Sequence, residues 1–442
     1  MTAPHPKLVS AQEAAALVRP GDWVDYGGNI SQPDQFDRAL AARASELTGV
    51  KVRSCLTLRP HAIVAADPQG ERFQLYSWHF SAYDRKLHDA GLTHYIPMNF
   101  GEAPDYYRRF LSPPDVVAIK TCPMDEHGYF NFSASVTYAK ALTERAKLLI
   151  VETSPQLPYV YGGEESVHAS EVDFVIEGAD VPPPELVNPE PSEVDRTVAS
   201  LIAAEIEDGA CLQIGIGGMP NAVCSALKDA GHRDLGIHTE MLVDGMIDLI
   251  ESGIVTGARK TLNRFQSVFT FALGSQRLYR FIHRNSRAQS YAVDYTNLPS
   301  QILQNERVVA INNTTQIDLQ GQAASESDGH RHLTGTGGQL QFMRGAYASK
   351  GGKSFLCLSS VYEKKGERKS RIVSTLTPGN IVTTPRTDVM YVVTEYGVVN
   401  LKGKSVPERA QALIGLAHPD FRESLAREAR EKSLVPPLLG QE

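Results

Sequence analysis

The chain is poor in cysteine, has no strong excess of charge of either sign and holds no long apolar run, and each lack removes a class of function. Its five cysteines (Cys55, Cys122, Cys211, Cys224 and Cys357) stand far apart with no C-x-x-C pair. That excludes a disulfide framework and a dithiol redox motif, and four of the five fall in apolar or strand-like runs, as buried reduced thiols do. With 44 basic and 51 acidic residues the net charge is −7. No general field gathers nucleic acid or an anionic membrane, so any phosphate must be held by local groups. Nowhere do about 20 apolar residues run together, and the first seventeen residues lack the basic start and apolar core of a secretory signal. A cytoplasmic protein without a membrane partner is the expectation. Thirteen histidines include only His330 and His332 as a close pair, with no cysteine or carboxylate cluster to complete a metal site. A G-x-S-x-G elbow is missing, which removes the common serine hydrolases, and the dinucleotide spacing G-x-G-x-x-G is not met, which demotes a nicotinamide oxidoreductase.

What is present is ordinary globular composition, 42% hydrophobic and 21% charged over 442 residues, enough for two or three cores. Short apolar runs at Trp23 to Tyr26, Val116 to Ile119, Leu148 to Val151, Val308 to Ile311, Phe355 to Leu358 and Tyr391 to Val393 alternate with helix-length segments such as Gln35 to Leu47 and Thr137 to Ala146. That alternation predicts an α/β fold with mostly parallel sheets. Five prolines between Val181 and Pro191 forbid regular ladders. They divide the chain into an N-terminal domain over 1–181, a linker over 182–191 and a C-terminal domain over 192–442. Ser192 with Asp195 forms a capping box, and Val194, Val198, Leu201, Ile202 and Ile206 share one face before Gly209 ends the helix. The basic run Lys364, Lys365, Arg368, Lys369 and Arg371 reads as a solvated loop.

Two glycine loops carry the chemical signal. Gly215-Ile216-Gly217-Gly218-Met219-Pro220 follows a strand-like run and enters a helix that Pro220 initiates. Gly335-Thr336-Gly337-Gly338 precedes Leu340, Met343, Ala346 and Tyr347 at helical spacing. The first N–H groups of a helix have no partner within it, so both loops present donors to an anion, and together they can form an oxyanion hole. A tight turn with no ligand fits the first loop, taken alone, equally well, and two such loops in one half are less easily explained that way. Glu240 lies in Gly236 to Gly245, where Ile237, Met241 and Val243 share one strand face and His238, Glu240 and Asp244 the other. A carboxylate on the apolar segment that follows the first glycine loop points to carboxylate chemistry on an anionic cofactor, while a lone glutamate at such a place is more often a surface or hydrogen-bonded residue.

These segments, in order, resemble the acetyl-CoA hydrolase/transferase branch of the family I CoA-transferases, close to the 4-hydroxybutyrate and butyrate:acetate enzymes. The match is carried by Gly21-Asp22-Trp23-Val24, Pro123 to Tyr129 and Ser166 to Asp173 in the first half. In the second half it rests on Gly215 to Val223, His238-Thr239-Glu240-Met241, Gln316 to Gln322, Gly335 to Gly345 and Val393 to Gly397. The resemblance implies two similar α/β domains with a cleft between them, in a homodimer or tetramer. It implies that Glu240 is the nucleophile that passes CoA from an acyl-CoA to a free short carboxylate, with CoA as substrate and no permanently bound cofactor. By the same resemblance Gly215, Ile216, Gly217, Gly218, Met219, Gly335, Gly337 and Gly338 line the CoA and oxyanion site, and Lys364 or Lys365 meets a CoA phosphate. An acyl-CoA hydrolase using the same glutamate and a non-catalytic CoA-binding protein are the alternatives. Gly28-Asn29-Ile30-Ser31-Gln32-Pro33 departs from the family's Gly-Ala-Gly-Glu-Pro-like segment, which implies a different preferred acid if this half shapes the acyl pocket.

Overall fold

The computed structural model describes residues 6–186, 189–215 and 217–436. Two compact units divide the chain, Met1–Val187 with Val268–Thr296, and Asn188–Ser267 with Asn297–Glu442. The cut near residue 187 falls inside the proline-rich segment. Residues 268–296, however, group with the first unit, whereas the sequence reading kept them in the C-terminal domain. Long-range strand pairing decides this, because Ala288–Tyr291 runs parallel to Tyr161–Gly163, and no local pattern marks such a pairing.

The first unit is built on an eight-stranded sheet in the order Lys7–Leu8, Phe174–Glu177, Leu149–Thr153, Val116–Thr121, Trp23–Gly28, Val50–Cys55, Phe73–Ser77 and Thr93–Tyr95. Every neighbouring pair is parallel. Parallel sheets survive only when both faces are covered, and Val116–Thr121 is buried along its whole length. Its core joins Val24, Val52, Leu75, Ala118 and Ile150 to Phe36 and Leu40 of the helix Asp34–Ala41. Each such aliphatic side chain contributes about 1.5–3 kcal/mol of transfer free energy.

In the second unit six strands follow the order Gly236–Ile237, Cys211–Ile214, Val308–Asn313, Lys353–Cys357, Tyr391–Thr394 and Gly397–Asn400. All pairs are parallel except the last. The six apolar runs singled out in the sequence all become strands of these two sheets. Ser192 caps the helix Glu193–Ala204 with Asp195 completing the box, and Val198 and Ile202 are buried on its inner face. All five cysteines are buried free thiols. Among the described residues no helix is long and apolar enough to cross a membrane.

One local reading is corrected. The basic run is not a loop but an antiparallel hairpin, Val361–Lys364 against Glu367–Ser370. Lys365 and Gly366 both take positive φ, +55° and +79°, the two-residue geometry that matches the twist of the flanking strands.

Candidate active site

The residues of interest lie in the second unit. Glu240 occupies the short break between the strands Gly236–Ile237 and Met241–Leu242. Strand alternation therefore stops there, and Asp244 opens the helix Asp244–Glu251 rather than sharing a strand face with Glu240. His238 and Thr239 are buried, while Glu240 is partly buried.

Its carboxyl group is held from two directions. The Asn297 amide donates to Oε2 at 2.6 Å, and the Gly338 N–H donates to the same carboxyl group. Desolvation outweighs both bonds and pushes the Glu240 pKa up to about 7. At neutral pH the group stands between its protonated and ionised forms. A Cβ at Gly338 would collide with Glu240 Oε2 and with Asn297 Nδ2, so only glycine lets the backbone donor approach this closely.

The elements that deliver these partners are set by packing. Gln339–Ala348 is a helix with Gly338 as its N-cap and Phe342, Met343 and Ala346 buried. Tyr347, expected on the same face, is 58% exposed. Phe342 and Ala346 pack with Ile302 of the helix Pro299–Ile302, two residues beyond Asn297. The loop before Gly338 is braced by the serine-rich stretch. Buried Glu326 accepts bonds from the Thr383 hydroxyl, at 3.0 Å, and from Thr336. Gln339 Nε2 donates to Ser325 Oγ at 2.9 Å and to Thr384 Oγ1 at 3.0 Å.

The first glycine loop has different surroundings. Gly215 ends the strand Cys211–Ile214 and the helix runs Gly218–Ala230, so Pro220 is its third residue rather than its first. Gly217, the N-cap, takes φ +118°, and Ile216 lies outside the described residues. Gly218 and Met219 line a cavity of about 270 Å³ with Asn313, Thr315, Ser359 and Arg371. This cavity sits at the carboxyl ends of parallel strands, where open α/β sheets bind ligands. Glu240 is not among its lining residues. The second loop thus meets Glu240, and the first lines this recess.

Lys364 sits on the hairpin, paired with Asp328 at 2.9 Å. The basic residue that lines the cavity is Arg371, tied by Nε to Ser359 Oγ at 3.2 Å and by Nη1 to the Thr315 carbonyl at 3.1 Å. The residue that sequence reasoning missed is Asn297. A lone asparagine 57 positions from Glu240 has no periodic signal, and only the tertiary fold joins the two.

Comparison with known proteins shows the family. Residues 2–186 match the acetyl-CoA hydrolase/transferase N-terminal domain, and residues 274–429 the C-terminal domain of the same name. A butyryl-CoA:acetate CoA-transferase of Anaerostipes caccae is 42% identical over 97% of both chains. A probable butyrate:acetyl-CoA coenzyme A-transferase of Syntrophomonas wolfei is 45% identical over 97% of this chain and 96% of its own. The crystal structure of RipA from Yersinia pestis superposes with a TM-score of 0.89 at 39% identity, covering 97% of this chain and 98% of that one. The chain therefore belongs to the acetyl-CoA hydrolase/transferase family and is an enzyme of the CoA-transferase type.

Proposed function

We propose that the protein moves CoA between an acyl-CoA and a free short-chain carboxylate through covalent attachment to Glu240. The observation that carries this reading is the Glu240 carboxyl itself. It is desolvated, its pKa is pushed to about 7, and it is fixed by the Asn297 amide and the Gly338 N–H at a helix N-terminus. A carboxylate is a weak nucleophile in water. Desolvation and fixed orientation raise its reactivity, and orientation alone can supply roughly 7–11 kcal/mol.

In the proposed sequence a Glu240 oxygen attacks the thioester carbonyl, the C–S bond breaks and CoA thiolate leaves a mixed acyl-glutamyl anhydride. The thiolate then attacks the glutamyl carbonyl, releasing the first acid and leaving a glutamyl-CoA thioester. The incoming carboxylate attacks that thioester and expels the thiolate. The thiolate finally attacks the new acyl carbonyl, releasing the new acyl-CoA and restoring Glu240. One thioester is present at each resting stage, so no ATP is consumed. Each tetrahedral intermediate carries an oxyanion, for which bared N–H groups of the glycine loops are suited donors. The recess beside Gly218, Met219 and Arg371 is the proposed location for part of CoA. Butyrate and acetate, the acids in the relatives' names, are the first to try.

The test is peptide mass spectrometry after mixing the protein with butyryl-CoA. A CoA adduct on the Glu240 peptide of the wild type, absent from Glu240→Ala, is the expected result. Turnover by Glu240→Ala would remove Glu240 from the nucleophile's role. Loss of acyl-CoA with no added carboxylate would replace transfer by hydrolysis.

A further inference from the structure

Gly236–Ile237, the strand that leads into Glu240, is the edge strand of the six-stranded sheet. On its inner side the ladder is complete, since the Gly236 and His238 N–H groups donate to the Ala210 and Leu212 carbonyls. On its outer side Leu235 is served by the segment at Ile254 to Gly257, whose carbonyl and N–H bond its backbone. Two residues further on that support ends, and a buried edge carbonyl must find another donor. The donor is Lys260. Its side chain is 4% exposed, and its Nζ reaches the Ile237 carbonyl at 2.8 Å and the Gln266 carbonyl at 2.7 Å.

Among the described residues no carboxylate pairs with this ammonium. The titratable group facing it from the neighbouring strand is Cys211, whose thiol burial pushes up to about 11. That thiol stays neutral through the working range and offers no counter-charge. The lysine stem is fitted to its place, because a Cβ at Gly236 would strike Lys260 Cγ. A buried cation whose only hydrogen-bond acceptors are main-chain carbonyls is expensive to maintain. Its position at the foot of the Glu240 segment gives that expense a purpose.

We propose that Lys260 is a positioning residue for Glu240: its ammonium replaces the missing neighbour strand and anchors the Ile237 carbonyl, three residues before the nucleophile. The inference rests on the Glu240 reading above. Charge-assisted bonds are roughly twice as strong as neutral ones, so the anchor weakens when the ammonium loses its proton. Burial lowers the Lys260 pKa to about 8. The anchor is therefore complete below that pH and weakens as pH rises through it.

The experiment is Lys260→Met, which keeps length and volume and removes both donors, read by steady-state kinetics and by hydrogen exchange of the peptide over residues 236–242. We expect kcat to fall about 10- to 100-fold with KM within about twofold, exchange of that peptide to quicken, and the alkaline limb of kcat near pH 8 to disappear. Unchanged kcat overturns the proposal, and so does unchanged exchange. Should the variant fail to fold, wild-type exchange is followed from pH 6 to 10 after correction for the intrinsic rate. Loss of protection over 236–242 near pH 8, absent from the helix Val406–Leu416, supports the anchor, and parallel courses in the two peptides refute it. Failure of the Glu240 reading shows separately, as turnover in Glu240→Ala, and leaves the exchange readout untouched.

Discussion

The two glycine loops of the second unit share a sequence design and differ in what their helix N-termini face. At Gly338 the bared backbone meets Glu240, a carboxyl pushed up to about 7 and held by Asn297. At Gly218 the nearest foreign atom to a hypothetical Cβ is Asp195 Oδ2, at 3.2 Å. Asp195 already belongs to a capping box, accepting from the Ser192 N–H at 2.8 Å and its hydroxyl at 2.8 Å. One helix start thus donates to a desolvated carboxyl, and beside the other stands a carboxyl already bonded within a capping box. A glycine run tells that N–H groups are bared; which acid meets them is a property of the fold.

The sharpest way to break this comparison is to remove each acid in turn. Glu240→Gln is expected to lower kcat by about 10⁴-fold or more, whereas Asp195→Asn keeps kcat within about threefold. Glu240→Gln should also raise Tm. A carboxyl whose pKa is raised on folding loses stability as pH climbs from the ordinary carboxyl range through about 7. The gain in Tm is therefore greatest above pH 7 and absent near pH 4. Equal kinetic losses in the two variants would erase the distinction between the loops.

Next in size is the paired substitution of the glycines. Gly338→Ala drives a methyl into Glu240 and Asn297 and is expected to cost about 10²-fold in kcat/KM, the effect of misplacing a reacting group by about 1 Å. Gly218→Ala asks Asp195 to yield only slightly and is expected to keep kcat within about threefold, any loss falling on KM for acyl-CoA because Gly218 lines the recess proposed for CoA. Measuring both under the same conditions sharpens the contrast better than either alone.

A smaller effect reads the electrostatics. In the wild type kcat/KM should fall as pH drops through about 7, because the proposed attack by Glu240 requires its ionised form. The Asn297 bond favours the charged form, so Asn297→Ala moves this acid limb to higher pH and lowers the rate at pH 6 by about tenfold. A limb that stays in place would separate Asn297 from the titration. Smallest of all, Asp195→Ala removes half a capping box and should cost about 1 kcal/mol of stability, visible in chemical denaturation and nearly silent in kcat.

How much of this was legible in the sequence depends on whether the signal is local. Apolar runs such as Val116 to Ile119 and Val308 to Ile311 became the parallel strands they promised. Ser192 with Asp195 capped the expected helix, because a capping box needs only four residues. The hairpin at Lys365-Gly366 carried a local signal that the charge run masked, a turn-type dipeptide between two extended segments. Glu240 was singled out by resemblance and by its place near a strand end, but the carboxyl's poise was not legible, since desolvation and the Asn297 bond are tertiary. Lys260 was invisible for the same reason, one lysine among many until an edge carbonyl selects it.

The placement of Val268–Thr296 with the first unit has a consequence for biosynthesis. The chain leaves the first unit near residue 187, lays down residues 188–267 elsewhere and then returns with the strand Ala288–Tyr291 to pair beside Tyr161–Gly163. A ribosome must therefore complete an opening portion of the second unit before the first can receive its last strand. For that interval the nascent first unit carries an unfilled strand position, which is a reason why a fragment ending at the proline-rich segment would be a poor surrogate for the unit.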